Sequence, residues 1–235
     1  MKISFPAAFQ KKAIIATTFV MTALPLGLTA CNGEMPSTAS ADSANSPEST
    51  GKEVSSDSSM LKLALKYVEF TDSDGKPVLT QDQMNSVTQR INELYAPCKI
   101  QFVAEQYKPV QPKQVGLEYN TQSMNELEPI RSQFKDANHL VVINTGDWNH
   151  DSMGTANAWT AMPGENPAGA VIEANSASFG GIVAHELGHY LGLDHVDDTE
   201  NMMNPIIYQT STAIDAQQCD SMRQAVSTYW TASLR

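Results

Sequence analysis

Leu61, Leu63, Leu65 and Tyr67 fall on alternate positions and predict a strand. Asp72-Ser73-Asp74-Gly75 closes it in a turn. The same residues resemble the start of a calcium loop, but no glutamate stands at the later position such a loop requires. Thr80 and Gln83 form a Thr-x-x-Gln capping box, and Met84, Val87, Ile91 and Leu94 follow at helical spacing. Ile100, Phe102 and Ala104 alternate in a second strand. Residues 119–136 are polar and predict at best partial helix around Pro129. Leu140-Val141-Val142-Ile143 predicts a short buried strand, and residues 154–174 hold two weaker strand candidates around Pro163 to Pro167. A long helix is expected from near Ser178 and a last one from near Thr212, with no internal repeat.

The first sixty residues follow neither period. Lys2, Lys11 and Lys12 precede an apolar stretch, Ala13 to Ala30, which Pro25 and Gly27 interrupt. That suits an export signal over residues 1–30 better than a permanent span. The stretch ends Leu28-Thr29-Ala30-Cys31, which resembles a bacterial lipobox. The resemblance implies cleavage before Cys31 and its lipidation, so that contact with the membrane is through the lipid anchor alone. The alternative is an ordinary secretory signal with a coincidental cysteine. Asn32 at the next place favours the outer membrane in a Gram-negative envelope. Residues 31–59 are rich in Ser, Ala, Thr, Pro and acids, too poor in apolar groups to fold, and are expected to form a linker. The folded domain is expected over residues 60–235.

Composition sharpens this picture in two places. Hydrophobic residues make up 41% of the 235, enough for a real core. Net charge is −11, and beyond the first thirty residues 12 basic side chains face 26 acidic ones, a net of −14. Such a surface disfavours nucleic acid and anionic membrane as partners. The chain is expected to work as a monomer. Of three cysteines, none forms a CxxC pair, so a cysteine zinc site is not expected. With Cys31 assigned to lipid, Cys98 and Cys219 remain, and an oxidising compartment favours a disulfide between them. The alternative is two buried thiols.

The chemistry is concentrated in His185-Glu186-Leu187-Gly188-His189, followed by Gly192 and His195. Residues four apart share one helix face, so the imidazoles of His185 and His189 can bind one ion. Glu186 lies one step round the helix, within reach of a water on that ion. Gly192 allows the helix to stop and the chain to turn back, bringing His195 as a third nitrogen. Three protein ligands leave the fourth position of tetrahedral zinc open, the mark of a catalytic rather than a structural site. One catalytic Zn2+ is therefore expected. Downstream, Asn201-Met202-Met203-Asn204-Pro205 carries a methionine pair.

Together these motifs resemble the metzincin zinc metallopeptidases, most nearly the matrixin-like form, over roughly residues 60–230. The resemblance implies a twisted five-stranded mixed sheet, mostly parallel with one antiparallel edge strand, an active-site helix packed on it and a small C-terminal subdomain. It makes Met203 the Met-turn residue, with Met202 the fallback, and Glu186 the base of an endopeptidase acting on peptides or proteins outside the cytoplasm. It also implies that Gly154-Thr155-Ala156 through Met162-Pro163-Gly164 is the edge-strand region on which a substrate backbone adds. Tyr208 stands one residue late for the matrixin spacing and is a candidate to hydrogen-bond the oxyanion, the alternative being packing near the cleft. Val196, after the third histidine, matches no named subfamily, no cysteine-switch propeptide motif is visible, and no structural calcium ligand set is found. Two other functions fit the same motifs: a zinc-bearing surface binding lipoprotein on this scaffold, and a metallohydrolase acting on cell-wall peptide.

Overall fold

The computed structural model describes residues 59–235. The expected signal, the lipidated Cys31 and the linker lie outside the described residues. β1 (Leu61–Phe70) leads through a turn to α1 (Gln81–Tyr95), β2 (Ile100–Val110), α2 (Leu127–Phe134) and β3 (Leu140–Thr145). A short α3 (His150–Met153) precedes β4 (Ala158–Thr160) and β5 (Ala170–Glu173). Then come a short α4 (Ala174–Ala177), α5 (Gly180–Tyr190) and α6 (Ala216–Tyr229). The five strands form one sheet in the order β2-β1-β3-β5-β4. β1, β2, β3 and β5 run parallel, and only β4 is antiparallel, at the edge.

β1 is paired on both edges, and helices cover both its faces, as parallel strands require. Leu63, Leu65 and Tyr67 pack with α1 and α5, while Val68 and Phe70 join Ile143, Val171 and the apolar face of α2. The capping box at Thr80 and Gln83 is formed, and Met84, Val87, Ile91 and Leu94 are buried. Tyr95, at the end of α1, donates its hydroxyl to the carbonyl of Ala184 at 2.8 Å, clipping α1 to α5.

α2 is a regular helix rather than the partial one expected. Pro129 stands in its first turn, where backbone N–H groups have no intrahelical partner, so the missing donor costs little. Eight residues are too few to hold a helix in water. Leu127, Ile130 and Phe134 are buried against the sheet, at roughly 1.5–3 kcal/mol each, and that burial holds it.

The C-terminal ends of the strands carry an acid inside the protein. Glu69 is fully buried on β1, accepting from Asn144 Nδ2 at 2.6 Å and from the Leu79 N–H at 3.0 Å. Burial pushes its carboxyl up to about 8, and those two donors only partly oppose it. The folded protein thus holds a proton on Glu69 that the unfolded chain loses above its ordinary value of 4.5. Stability from this group is full below about pH 4.5 and is lost as pH rises towards 8. Glu69→Gln is expected to flatten that slope. At pH 8 it should leave the variant more stable than wild type by on the order of a few kcal/mol. Urea denaturation at pH 5 and pH 8 measures both, and equal pH dependence in the two proteins refutes the assignment.

Candidate metal centre and active site

α5 carries the two histidines four apart, and its geometry follows from its glycines. Gly188 faces the methionine turn so closely that a Cβ there would sit 2.4 Å from Met203 Sδ. Gly192 takes φ +88, the left-handed conformation that ends the helix and reverses the chain. His195 then returns to the triad. The Nε2 atoms lie 3.0 Å apart for His185–His189, 3.0 Å for His189–His195 and 3.2 Å for His185–His195. Ligands about 2.0–2.1 Å from a tetrahedral zinc would stand roughly 3.3 Å apart, so the spacing fits that ion.

The outer nitrogens define the protonation. His185 Nδ1 lies 2.8 Å from the Met202 carbonyl and His189 Nδ1 2.7 Å from the Leu193 carbonyl. A carbonyl only accepts, so both Nδ1 atoms carry the proton and both Nε2 lone pairs point inward. Burial pushes His185 down to about 4, with the Met202 carbonyl opposing and the neighbouring imidazoles adding to the shift. His189 is likewise lowered, first by burial. Two converging lone pairs with no donor between them repel one another, and a cation relieves that repulsion. Among the described residues this is the only cluster of three side chains suited to hold a metal ion.

Glu186 lies beside the triad, buried, with its carboxyl pushed up to about 7 by burial against the opposing hydrogen bond from Thr160. Thr160 Oγ1 donates to Glu186 Oε2 at 2.6 Å. A cleft of about 500 Å³ opens over these groups, rimmed by Ala158, Trp159 and Thr160 on one side and Pro205 and Ile207 on the other.

Met203 and Met202 are both fully buried and divide the work. Met203 gives the sulfur against Gly188, while Met202 gives the carbonyl that orients His185. Val196 donates its N–H to the Met203 carbonyl at 3.0 Å, fastening the segment that carries His195. Asn201 Oδ1 accepts from Met203 N at 2.9 Å, and its amide exchanges two hydrogen bonds with Gln218 of α6. Cys98 and Cys219 are disulfide-bonded, joining the end of α1 to α6.

Tyr208 is not brought to the triad. It is 45% exposed and lines a separate cavity between α1 and the start of α5. The two residues after Pro205 carry it past the site, and the loop is pinned there by Tyr208 N donating to Ser211 Oγ, which itself donates to the Thr199 carbonyl. His139 is held between Asp136 and Glu105, and His150 meets Glu173, all outside the triad. The roles of Thr160 and Gln218 carried no signal in the sequence, because each acts through a partner distant along the chain. Asn201 stands in the methionine stretch, but its pairing with Gln218 was equally unsignalled.

The matrixin model of the M10 peptidases matches residues 62–228. Among solved structures the chain is similar to metalloproteinase-II from Bacteroides fragilis, at 15% identity and a TM-score of 0.50. That match covers 71% of this chain and 54% of the other, so the chain spans about half the length of the Bacteroides protein. It also resembles archaemetzincin from Methanopyrus kandleri, at 15% identity and a TM-score of 0.48, over 71% of this chain and 96% of that one. At 15% identity the likeness to the Bacteroides protein bears on the fold alone. No curated protein matches the sequence.

Proposed function

The chain belongs to the matrixin family of M10 peptidases, and we propose that it is a zinc-dependent endopeptidase cutting proteins outside the cytoplasm. The observation that carries this is the convergence of three imidazole nitrogens 3.0–3.2 Å apart beside a buried glutamate in an open cleft. We place it at the cell envelope, on the lipobox-like Leu28-Thr29-Ala30-Cys31 and the polar linker behind it.

His185, His189 and His195 would hold a zinc ion, which would supply Lewis acidity towards the attacking water and the scissile carbonyl. Glu186, raised to about 7, is matched to take a proton at neutral pH and return it to the leaving amine. Thr160 occupies Oε2, which leaves Oε1 as the oxygen for that proton. The substrate backbone has a place on β4. The Asn157 carbonyl accepts from Glu173 N and Ala161 N donates to the Gly169 carbonyl, so the odd-numbered positions bond inward to β5. The peptide groups of Ala158 and Thr160 therefore face the open edge, where an extended peptide can pair with them.

The test is hydrolysis of a quenched-fluorescence peptide library by the full chain in detergent, with bound zinc quantified. We expect one zinc per chain, cleavage within the peptides, and loss of activity with a chelator that returns on adding zinc. A protein that binds zinc and cleaves no peptide refutes the assignment and leaves a binding role.

A further inference from the structure

We propose that Thr160 is a positioning residue for Glu186, and that it couples the alignment of this base to the seating of substrate on the edge strand. The inference rests on the peptidase assignment above. Thr160 ends β4, paired with Ala170 of β5, and is 7% exposed. Its side chain turns inward to Glu186 Oε2 at 2.6 Å, the one hydrogen bond that carboxylate makes among the described residues. Its peptide group, by the alternation along β4, turns the other way, to the open edge. One residue thus touches the base with its side chain and offers its backbone to the substrate.

The chemistry favours a specific role over incidental satisfaction of a buried hydroxyl. A hydroxyl donating to a carboxylate is a charge-assisted bond, about twice as strong as a neutral one, and 2.6 Å is the length such bonds take. Other buried threonines settle on neutral partners: Thr88 on the Met84 carbonyl, and Thr121 on the Thr145 hydroxyl. A glutamate side chain has three rotatable bonds, and a base must be held within about 0.5 Å of its productive position relative to the group whose proton it takes. Without Thr160 the Glu186 carboxylate has burial alone to fix its plane. Backbone pairing of a peptide at Ala158 and Thr160 would steady β4 and, through the same threonine, the carboxylate. Binding away from the scissile bond would then appear in kcat.

Thr160→Val removes the hydroxyl at nearly constant shape, and Thr160→Ser restores it without the methyl. With the zinc-loaded full chain, Thr160→Val is expected to lower kcat by about ten-fold or more, with KM within about two-fold of wild type and zinc content unchanged. Thr160→Ser should recover most of the rate. Lengthening a peptide along β4 should raise kcat in wild type, and that gain should vanish in Thr160→Val. A second measurement needs no turnover: 13C NMR of carboxyl-labelled glutamate, the Glu186 resonance being the one lost in Glu186→Gln. That resonance should move in Thr160→Val and return in Thr160→Ser. Wild-type kcat in Thr160→Val, an unmoved resonance, or Thr160→Ser as slow as Thr160→Val overturns the positioning role. A length effect that persists in Thr160→Val overturns the coupling. If the wild type cleaves no peptide but the resonance responds, only the peptidase assignment falls.

Discussion

Glu186→Gln is expected to keep zinc at the wild-type stoichiometry and to lower kcat by about 10²–10⁴-fold, a barrier increase of roughly 3–5 kcal/mol. The two halves of that result have separate causes. Zinc would be held by Nε2 of His185, His189 and His195, the first two of which are oriented by the Met202 and Leu193 carbonyls, and Glu186 contributes to none of these contacts. Glutamine has the same shape, and its carbonyl oxygen can still accept from Thr160, so the packing around α5 persists. What it lacks is an oxygen that can take a proton. Burial that raises the Glu186 carboxyl to about 7 makes the glutamate well matched to this task at neutral pH, and no such match exists for an amide. Near-normal peptide hydrolysis by Glu186→Gln would remove the glutamate from the mechanism. Lost zinc would show instead that the substitution disturbed α5, and a zinc assay alongside kinetics separates the two.

The triad was legible in the sequence because its geometry is local. Four residues make about one helical turn, and a glycine with φ +88 at Gly192 suffices to bring His195 back. The capping box at Thr80, the strand over Leu61–Tyr67 and the methionine turn are local in the same sense. Local signals also misplaced some boundaries. The helix expected from near Ser178 starts at Gly180, after the short α4 and its turn at Ser178. The C-terminal helix expected from near Thr212 starts at Ala216, capped by Asp215, whose reciprocal bonds with Gln218 set the first turn. α2 was obscured by Pro129, whose cost depends on its position in a helix not yet located. The supporting contacts were not legible at all. Thr160 and Glu186 lie 26 residues apart, Glu69 and Asn144 lie 75 apart, and they meet only because β4 borders α5 and β1 borders β3. Tyr208 failed for the converse reason: proximity to the motif in sequence did not determine the path of an exposed loop.

Replacing Cys98 and Cys219 together by alanine is expected to lower stability by about 4–5 kcal/mol, the chain-entropy value for a loop of 121 residues. For a domain of this size that corresponds to a fall in Tm of roughly 10–20 °C. Thermal denaturation of the variant, and of wild type with and without reductant, measures it. The effect should reach the metal site more weakly, for a reason visible in the contacts. Cys219 adjoins Gln218, which exchanges hydrogen bonds of 2.9 and 3.1 Å with Asn201. Asn201 holds the Met203 N–H at 2.9 Å, and the next carbonyl back, Met202, holds His185 Nδ1 at 2.8 Å. A loosened α6 therefore disturbs the orientation of one zinc ligand. But α6 has other fastenings. Arg223 donates to the Cys98 and Lys99 carbonyls, and Met222 and Val226 are buried in the core. The folded variant should accordingly keep its zinc and most of its kcat at low temperature, while unfolding at a lower one. A variant that melts with wild type would mean that the unfolded chain is constrained without the bond. Zinc lost well below the melting transition would mean that α6 depends on the sulfurs rather than on Arg223 and the core to hold Gln218 in place.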